Sequence, residues 1–223
     1  MFIDTISRLA PRLFLFENVR NLMFSHKWYL SQILAELRAL GYIVDIKCVN
    51  AVKHRVPQNR ERIVVVGHKS SFSYPAESST RVSVSEAIGD TMHTFGDDSK
   101  FLTAAQDEYI AKYEKASHCV NPRDLHPDKP ARTITCRNLA GATSDMQRVR
   151  LPDGRRRRIS VNEAARLQSF PDWFKFMGNE QQQFTQIGNA VPPLLALQLA
   201  NAVKATLKQK DLEPDEIKRI NAT

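Results

Sequence analysis

The feature that most constrains the fold is a series of three strand-like segments within the first 67 residues. Residues 12–16 form a short run, apolar after Arg12, that leads into Glu17, and this run predicts a strand buried on both faces, as in a parallel sheet. Residues 44–48 alternate apolar and polar side chains, and residues 63–67 are entirely apolar, so each predicts a further strand. Together they predict part of an open α/β sheet, in which ligands bind beyond the carboxyl ends of the strands.

A helix is predicted between the first two of these strands. Apolar side chains recur at spacings of three and four residues from Leu30 to Leu37, and Gly41 stands where a C-cap belongs. The predicted helix therefore runs from about Lys27 to Leu40. This strand-then-helix order is typical of an α/β domain.

Later helix starts are marked by polar capping residues and by proline. Possible capping boxes begin at Ser83 and Thr103, and a further box pairs Ser160 with Glu163 at the start of a short helix. The double proline that ends at Pro193 predicts the start of the last helix.

The chain is predicted to divide into four parts. Residues 1–67 form a partial α/β domain, and residues 68–157, with weak periodicity and loops rich in Ser and Pro, form a small, irregular domain. Residues 158–207 return to the first domain with the last helix. Residues 208–223 form a polar tail, in which residues 211–223 are predicted to fray.

The charge of the chain favours a polyanionic partner. The sequence has 32 Lys and Arg against 24 Asp and Glu, a net charge of +8. The excess is concentrated in residues 120–158, which end in the run Arg155–Arg158. An arginine run by itself is most simply a solvated loop. This one closes a longer tract whose other arginines, interleaved with Asn, Thr and Gln suited to phosphates and base edges, are Arg123, Arg132, Arg137, Arg148 and Arg150.

Several classes of protein are disfavoured by what the sequence contains. No apolar run approaches the roughly 20 residues of a membrane helix, so we expect a cytoplasmic protein without a membrane segment. The three cysteines, Cys48, Cys119 and Cys136, are too scattered for a disulfide framework or a zinc site. We therefore expect no metal, and we interpret the cysteines as buried or incidental thiols.

Four short motifs follow one another along the chain. They are Glu17-Asn18-Val19, Gln58-Asn59-Arg60-Glu61-Arg62, Arg166-Leu167-Gln168-Ser169-Phe170-Pro171 and Gly188-Asn189-Ala190-Val191-Pro192-Pro193. In order and spacing they resemble the later motifs of the DNA cytosine-C5 methyltransferase family. The resemblance covers residues 1–67 and about 158–203, with a further match at residues 128–135.

The resemblance implies a fold, a cofactor and a partner. The fold is the C-terminal part of the Rossmann-like sheet of a class I S-adenosylmethionine-dependent methyltransferase, and residues 68–157 are its target-recognition domain for double-stranded DNA. The family's Pro-Cys-Gln nucleophile loop and Phe-x-Gly-x-Gly cofactor loop do not occur in these 223 residues. We therefore expect an incomplete S-adenosylmethionine site and a chain that is inactive without a complementary polypeptide carrying both loops.

The resemblance also assigns catalytic roles. Glu17 would be the acid that hydrogen-bonds N3 and the exocyclic amine of a flipped cytosine while a thiolate adds to C6. Arg60 and Arg62 would hold the base and its flanking phosphate, and Gln58 would brace the catalytic loop. The simpler alternatives are a helix N-terminal carboxylate for Glu17 and a solvated hairpin edge for the two arginines.

Substrate and cofactor contacts are assigned in the same way. Thr133 lies in the Thr-aliphatic dipeptide of the recognition region, beside Arg132 and Arg137, which would reach phosphate or guanine edges. For Arg137 a non-specific phosphate contact is the equal alternative. Asn189 and Val191 would close the cofactor pocket, although Gly and Asn are also common in simple turns.

Three interpretations of the whole chain remain open at this point. The first is one part of a restriction-modification methyltransferase, either a natural subunit or a fragment of an interrupted gene. The second is a DNA-binding module without methyl transfer, and the third is a decayed gene product. Glu163 and Arg166 are interpreted as structural in each case, as a capping-box partner and as a brace between domains.

Overall fold

The computed structural model describes residues 2–116, 118, 124–140 and 146–222. Its elements in chain order are α1 (Phe2–Leu9), β1 (Leu13–Val19), α2 (Lys27–Ala39), β2 (Ile43–Asn50), β3 (Glu61–His68), α3 (Val84–Met92), α4 (Ala104–Ala116), α5 (Cys136–Ala140), β4 (Arg148–Arg150), β5 (Arg156–Arg158), α6 (Val161–Leu167), α7 (Glu180–Asn189), α8 (Pro193–Leu207) and α9 (Pro214–Ala222). Short 3-10 helices follow β1 and β2.

The chain folds into two compact units. The first comprises Met1–Asn50, Glu61–Glu77 and Ala196–Thr223, and the second comprises Ala51–Arg60 and Ser78–Leu195. These limits differ from the predicted ones, because α6 and α7 pack with α3 and α5 in the second unit.

The sheet of the first unit has the order β1-β3-β2, and both neighbouring pairs are antiparallel. The prediction of parallel pairing was wrong, because apolar content indicates how deeply a strand is buried but not its direction. Residues 63–66 of the central strand β3 are fully buried, whereas only Phe14 is buried in β1. The strand that is buried on both faces is therefore β3 rather than β1. In the described part of the chain, β1 pairs along one edge only.

The predicted helix between the first two strands is confirmed as α2. Its buried side chains Leu30 and Leu37 face the sheet side, and Gly41 follows the last turn with φ of +83°. The Gly41 N–H donates to the Arg38 carbonyl at 2.9 Å, and the next N–H, of Tyr42, donates to the Leu37 carbonyl. These two bonds form a Schellman motif, which needs the left-handed conformation that glycine adopts without strain.

A close contact joins β1 and β3 on the face covered by α1 and α2. The Phe14 ring lies across Gly67, and a Cβ built on Gly67 would lie 2.1 Å from Phe14 Cζ. Because Phe14 is itself packed against Tyr42 with ring centroids 5.0 Å apart, the ring has little room to move.

We expect Gly67→Ala to lower the free energy of unfolding by about 1–3 kcal/mol, because the added methyl group overpacks this contact. The measurement is urea unfolding followed by circular dichroism. The matched control is Gly89→Ala in α3, where the added Cβ would meet only the flexible Ser85 side chain at 3.1 Å. Equal stability of the Gly67→Ala and wild-type proteins would contradict the packing.

The second unit confirms the three predicted capping boxes. Ser83 with Glu86 begins α3, Ser160 with Glu163 begins α6, and Thr103 exchanges reciprocal hydrogen bonds with Gln106 before α4. Among the described residues of this unit, an apolar core is formed by α3, α6 and α7 with β4, and includes Ile88, Val149, Leu167, Phe184 and Ile187.

The C-terminal region is more ordered than predicted. The last predicted helix is confirmed as α8, which begins at Pro193. The prediction of a frayed tail was wrong. Ile217 of α9 is buried, and Asp211 forms an ion pair with Arg12 at 2.7 Å. A short apolar contact with a distant charge pair can order a segment whose composition is polar.

Residues 180–207 are long and apolar enough, by length and composition alone, to cross a membrane. In the structure they form α7 and α8, separated at Ala190, which is extended with ψ of 150°. The 15 residues of α8 are fewer than the roughly 20 that a span requires. The absence of a membrane segment stays a prediction.

Candidate functional site

Glu17 and Arg62 meet on one face of the first unit's sheet. Glu17 pairs with Val64 across β1 and β3, and Arg62 lies two residues from Val64 on the same face. Glu17 Oε1 is 2.9 Å from Arg62 Nε. Glu17 lies within β1, two residues before its end, rather than after the strand as predicted. The predicted alternative of a helix N-terminal carboxylate was therefore wrong.

This ion pair is partly shielded from solvent. The Glu17 side chain is 22% exposed and the Arg62 side chain 12%. Burial lowers the pKa of the Arg62 guanidinium, and attraction to Glu17 opposes that shift. Arg62 also donates from Nη1 to the Glu61 carbonyl at 2.7 Å, and Glu61 itself pairs with Arg20. A carboxylate and a guanidinium thus stand together where a small part of each remains accessible.

Gln58 lies in the second unit and is fully buried. Its Oε1 accepts a hydrogen bond from the Ile134 N–H at 2.8 Å, and its Nε2 donates to Gln168 Oε1 and to the Leu167 carbonyl. Gln58 therefore braces residues of the recognition region against the end of α6. That Gln58 braces the catalytic loop stays a prediction, and in this structure its amide is enclosed by protein groups.

Arg60 is buried and faces protein carbonyls. Its side chain donates to the carbonyl oxygens of Ile134, Gly188 and Ala190 at 2.6, 3.1 and 3.1 Å, and the residue is 2% exposed. The expected contact with a base or phosphate does not fit this placement, and neither does a solvated hairpin edge. Arg60 instead ties the segment after Ala131 to the end of α7, since a planar guanidinium can satisfy several carbonyls at once.

Gln168 and Gly188 also belong to this buried cluster, and the sequence analysis did not assign these roles to them. Gln168 Nε2 donates to the Ile187 and Ala190 carbonyls at 3.0 and 2.8 Å. Gly188 lies inside α7, where a Cβ would be 2.2 Å from the backbone nitrogen of Cys136. The interpretation of Gly188 as a turn glycine was wrong, because its role is close approach between α7 and α5. Gln168 lies in one of the motifs that the sequence analysis identified. The residues that it contacts are distant in sequence, so the motif alone did not predict these contacts.

The predicted recognition residues have three different environments. Thr133 donates from Oγ1 to the Asn59 carbonyl at 2.7 Å, so the hydroxyl holds the loop. Arg132 is half-buried and already interacts with neighbouring protein groups. Arg137, in α5, is exposed, and within the described residues its guanidinium forms no ion pair. Of the three, Arg137 is the side chain best placed for an external anion.

Asn189 and Val191 occupy the connection between α7 and α8. Asn189 is exposed and Val191 is half-buried. They offer one amide and one aliphatic contact, whereas the nucleoside and the amino-acid group of S-adenosylmethionine need many more polar partners. The residues present therefore fit only one edge of a cofactor site, and no chemical step is derived through the cofactor.

Much of the predicted basic tract is neutralised inside the second unit. Arg148 is fully buried and pairs with Asp124 at 2.5 Å and with Glu114 at 3.0 Å. Arg157 is buried against Glu163 at 2.7 Å. Neither arginine is available to phosphate, and Arg123 lies outside the described residues. Buried charges require partners of opposite charge, so these arginines form internal ion pairs, although composition alone had predicted that they bind DNA. The run Arg155–Arg158 is not a solvated loop, since its last three residues form β5.

Asp124 should make the second unit sensitive to acid. Burial by itself would raise the pKa of Asp124, but attraction to Arg148 and hydrogen bonds from Arg156 outweigh it and lower the pKa below the ordinary 3.8. A carboxyl whose pKa is lower in the folded state stabilises it above the unfolded pKa and loses this contribution as the pH falls. We expect the urea concentration at the midpoint of unfolding to decrease as the pH is lowered from about 5 to about 3.

Asp124→Asn is expected to lower the midpoint at pH 7 and to make its dependence on pH shallower. The control is Asp4→Asn, because Asp4 pairs with Arg8 on the exposed surface of α1. An unchanged pH profile in Asp124→Asn would contradict the assignment.

The remaining sequence expectations concern thiols, metals and two structural residues. Cys48 is exposed rather than buried, Cys136 is half-buried, and Cys119 lies outside the described residues. No group of metal-binding side chains occurs among the described residues. Glu163 is confirmed as a capping-box partner. Arg166 pairs with Asp90 of α3, and so joins segments that were predicted as separate domains but that form one unit.

The fold is similar to that of solved methyltransferase structures. It is similar to the Schizosaccharomyces pombe Dnmt2 methyltransferase, with a TM-score of 0.69 and 14% identity over 93% of this chain and 72% of that one. It is also similar to the Entamoeba histolytica methyltransferase EhMeth, with a TM-score of 0.67 and 16% identity over 89% of this chain and 64% of that one. The class is therefore a mixed α/β protein with the C5-methyltransferase fold.

The sequence defines the family. Residues 1–205 match the family of C-5 cytosine-specific DNA methylases, and the chain belongs to that family. It is 52% identical over 218 residues to the Type II methyltransferase M.AplI of Arthrospira platensis, covering 97% of this chain and 63% of that protein. It is 31% identical to M.BsuRI of Bacillus subtilis, covering 91% of this chain and 51% of that protein. The chain thus spans less than two thirds of the length of these relatives.

Proposed function

We propose that this chain is the C-terminal part of a DNA cytosine-5 methyltransferase of a Type II restriction-modification system, acting on a flipped cytosine in a specific duplex site. The observation that carries the proposal is the Glu17–Arg62 pair, joined at 2.9 Å on adjacent strands of a chain that belongs to the family. On this proposal residues 1–67 and 158–207 serve the catalytic Rossmann-like domain, although residues 51–60 and 158–195 pack in the second unit, and residues 68–157 recognise the target.

Glu17 is the proposed acid of the reaction. Addition of a thiolate to C6 of cytosine pushes electrons towards N3, and a carboxylic acid that hydrogen-bonds N3 and the exocyclic amine stabilises that charge. Arg62 orients the Glu17 carboxyl group through Nε, and its remaining N–H groups can donate to an oxygen of the base. Partial exposure of both side chains allows an extruded base to reach them.

The buried cluster of the second unit supports recognition indirectly. Gln58 and Arg60 fix the backbone of Ile134 from opposite sides, through its N–H and its carbonyl oxygen. They therefore hold Arg132 and Thr133 in place, and act as positioning residues rather than as contacts to the base. Arg137 supplies a direct contact to phosphate or to a guanine edge.

Methyl transfer requires groups that these 223 residues do not contain. A polypeptide with the Pro-Cys-Gln loop would supply the thiolate, and one with the Phe-x-Gly-x-Gly loop would complete the S-adenosylmethionine site. Asn189 and Val191 would contact that cofactor, which supplies the methyl group. We propose that this chain is inactive alone and active when combined with a polypeptide carrying both loops.

The second candidate is a DNA-binding module without methyl transfer. Exposed Arg137 favours it, because this cation can serve binding alone. A pure binding function gives no reason for a partly exposed Glu17 paired with Arg62. The two candidates therefore predict different effects of Glu17 substitution.

The direct test is transfer of labelled methyl from S-adenosylmethionine to DNA. The chain alone is compared with the chain co-expressed with the polypeptide encoded immediately upstream. Activity only in the pair would support the proposal. A soluble complex that binds DNA without methyl transfer would favour the binding module, and a complex without either property would favour a decayed gene product.

A further inference from the structure

Arg55 has an unusual backbone conformation for an arginine. Its φ is +63°, in the left-handed region, at the end of the 3-10 helix Ala51–His54. In this region the Cβ of an L-residue crowds its own backbone, so glycine is the residue that adopts it without strain. A long, charged side chain therefore occupies a position where its backbone conformation is disfavoured.

The surrounding chain prevents this strain from relaxing. Val56 is fully buried and precedes Pro57, which restricts Val56 to extended conformations. The Val56 N–H donates to the Ala51 carbonyl, and the Pro57 carbonyl accepts from the Ala131 N–H at 2.9 Å. The backbone on the C-terminal side of Arg55 is thus fixed, and the turn must be made at Arg55.

The Arg55 side chain contributes little to the folded structure. It is exposed, and within the described residues it forms no hydrogen bond or ion pair, only a longer-range attraction to Glu86. Packing does not explain why arginine occupies the turn. A strained residue that the fold does not use is a candidate for a functional contact.

The location of Arg55 indicates what that contact would be. Four residues later the chain pairs with the recognition segment, since the Asn59 N–H donates to the Ala131 carbonyl at 2.8 Å and Thr133 donates to the Asn59 carbonyl. Arg55 is therefore adjacent, within the second unit, to the segment proposed to recognise DNA. An exposed guanidinium matches the geometry and charge of a phosphate.

We propose that Arg55 contacts a phosphate of the DNA backbone and positions the duplex on the second unit. The inference rests on the proposed function, because it requires DNA as the ligand. It assigns to Arg55 a sequence-independent contact, which contributes to affinity and register but not to base specificity.

The test is binding of the full chain to a labelled mixed-sequence duplex at several salt concentrations. We expect Arg55→Gly to weaken binding about tenfold near 0.1 M salt and to reduce the slope of log K against log salt by about 0.9, the value for one phosphate contact. We also expect its urea midpoint to rise, because glycine relieves the strain. A weaker complex formed by a more stable protein cannot be attributed to misfolding.

Two variants separate charge from backbone strain. Arg55→Lys keeps the charge and should keep the salt slope of the wild-type protein. Ala10→Gly, at the exposed position with φ of +42°, removes strain without removing charge and should bind as the wild-type protein does. Unchanged affinity and salt slope in Arg55→Gly would overturn this inference but not the proposed function. Failure of the wild-type chain to bind the duplex would overturn the DNA-binding part of the proposed function as well.

Discussion

Replacing Glu17 by Gln in the reconstituted enzyme is expected to lower kcat by a factor of about 10²–10⁴ while leaving DNA affinity within about twofold of the wild-type value. Gln has the same shape and keeps an oxygen atom beside Arg62 Nε, so the local fold should persist. It cannot donate a proton to N3 as the thiolate adds to C6, so only the chemical step should slow. The measurements are single-turnover methyl transfer and binding to a labelled duplex.

The matched control is Glu61→Gln on the neighbouring strand. Glu61 also forms an ion pair with an arginine, Arg20, at 2.6 Å, but it has no proposed contact with the base. We expect this variant to retain the wild-type kcat. Equal losses of kcat and DNA affinity in Glu17→Gln would contradict the catalytic assignment.

Glu163→Ala is expected to lower the free energy of unfolding by about 3–5 kcal/mol, the range for removing one partner of a buried ion pair. Arg157 donates to both carboxylate oxygens of Glu163 at 2.7 and 2.8 Å, and Thr91 donates to the same carboxylate. Removing the carboxylate leaves a buried guanidinium without its counter-charge. Urea unfolding followed by circular dichroism measures the loss.

The control for this prediction is Glu86 at the start of α3. Glu86 occupies the same capping-box position as Glu163 and accepts from the Ser83 N–H at 2.8 Å, but it is exposed and lacks a buried arginine. Glu86→Ala should therefore cost much less stability than Glu163→Ala. The double variant Arg157→Met with Glu163→Leu should recover part of the loss, since no unpaired charge remains. Similar losses for Glu86→Ala and Glu163→Ala would show that capping alone is responsible.

Local features of this protein follow from its sequence. The boxes at Ser83 and Ser160, the C-cap at Gly41 and the start of α8 at Pro193 were predicted correctly, because the groups that determine them lie within a few residues of one another. The ordered motifs were also sufficient to predict the family. Capping hydrogen bonds and turn conformations need no tertiary partner.

Only the tertiary structure determines the directions of the strands and which arginines are buried or exposed. Arg60 and Arg148 are buried, and their partners Ile134 and Asp124 lie 74 and 24 residues away, whereas Arg55 and Arg137 remain exposed. All four carry the same charge in the sequence, and composition cannot rank them. Pairing of charges depends on which distant segments meet, and that is determined by burial of the apolar core. The fold therefore decides which positive charges stabilise the protein and which remain available to an external anion.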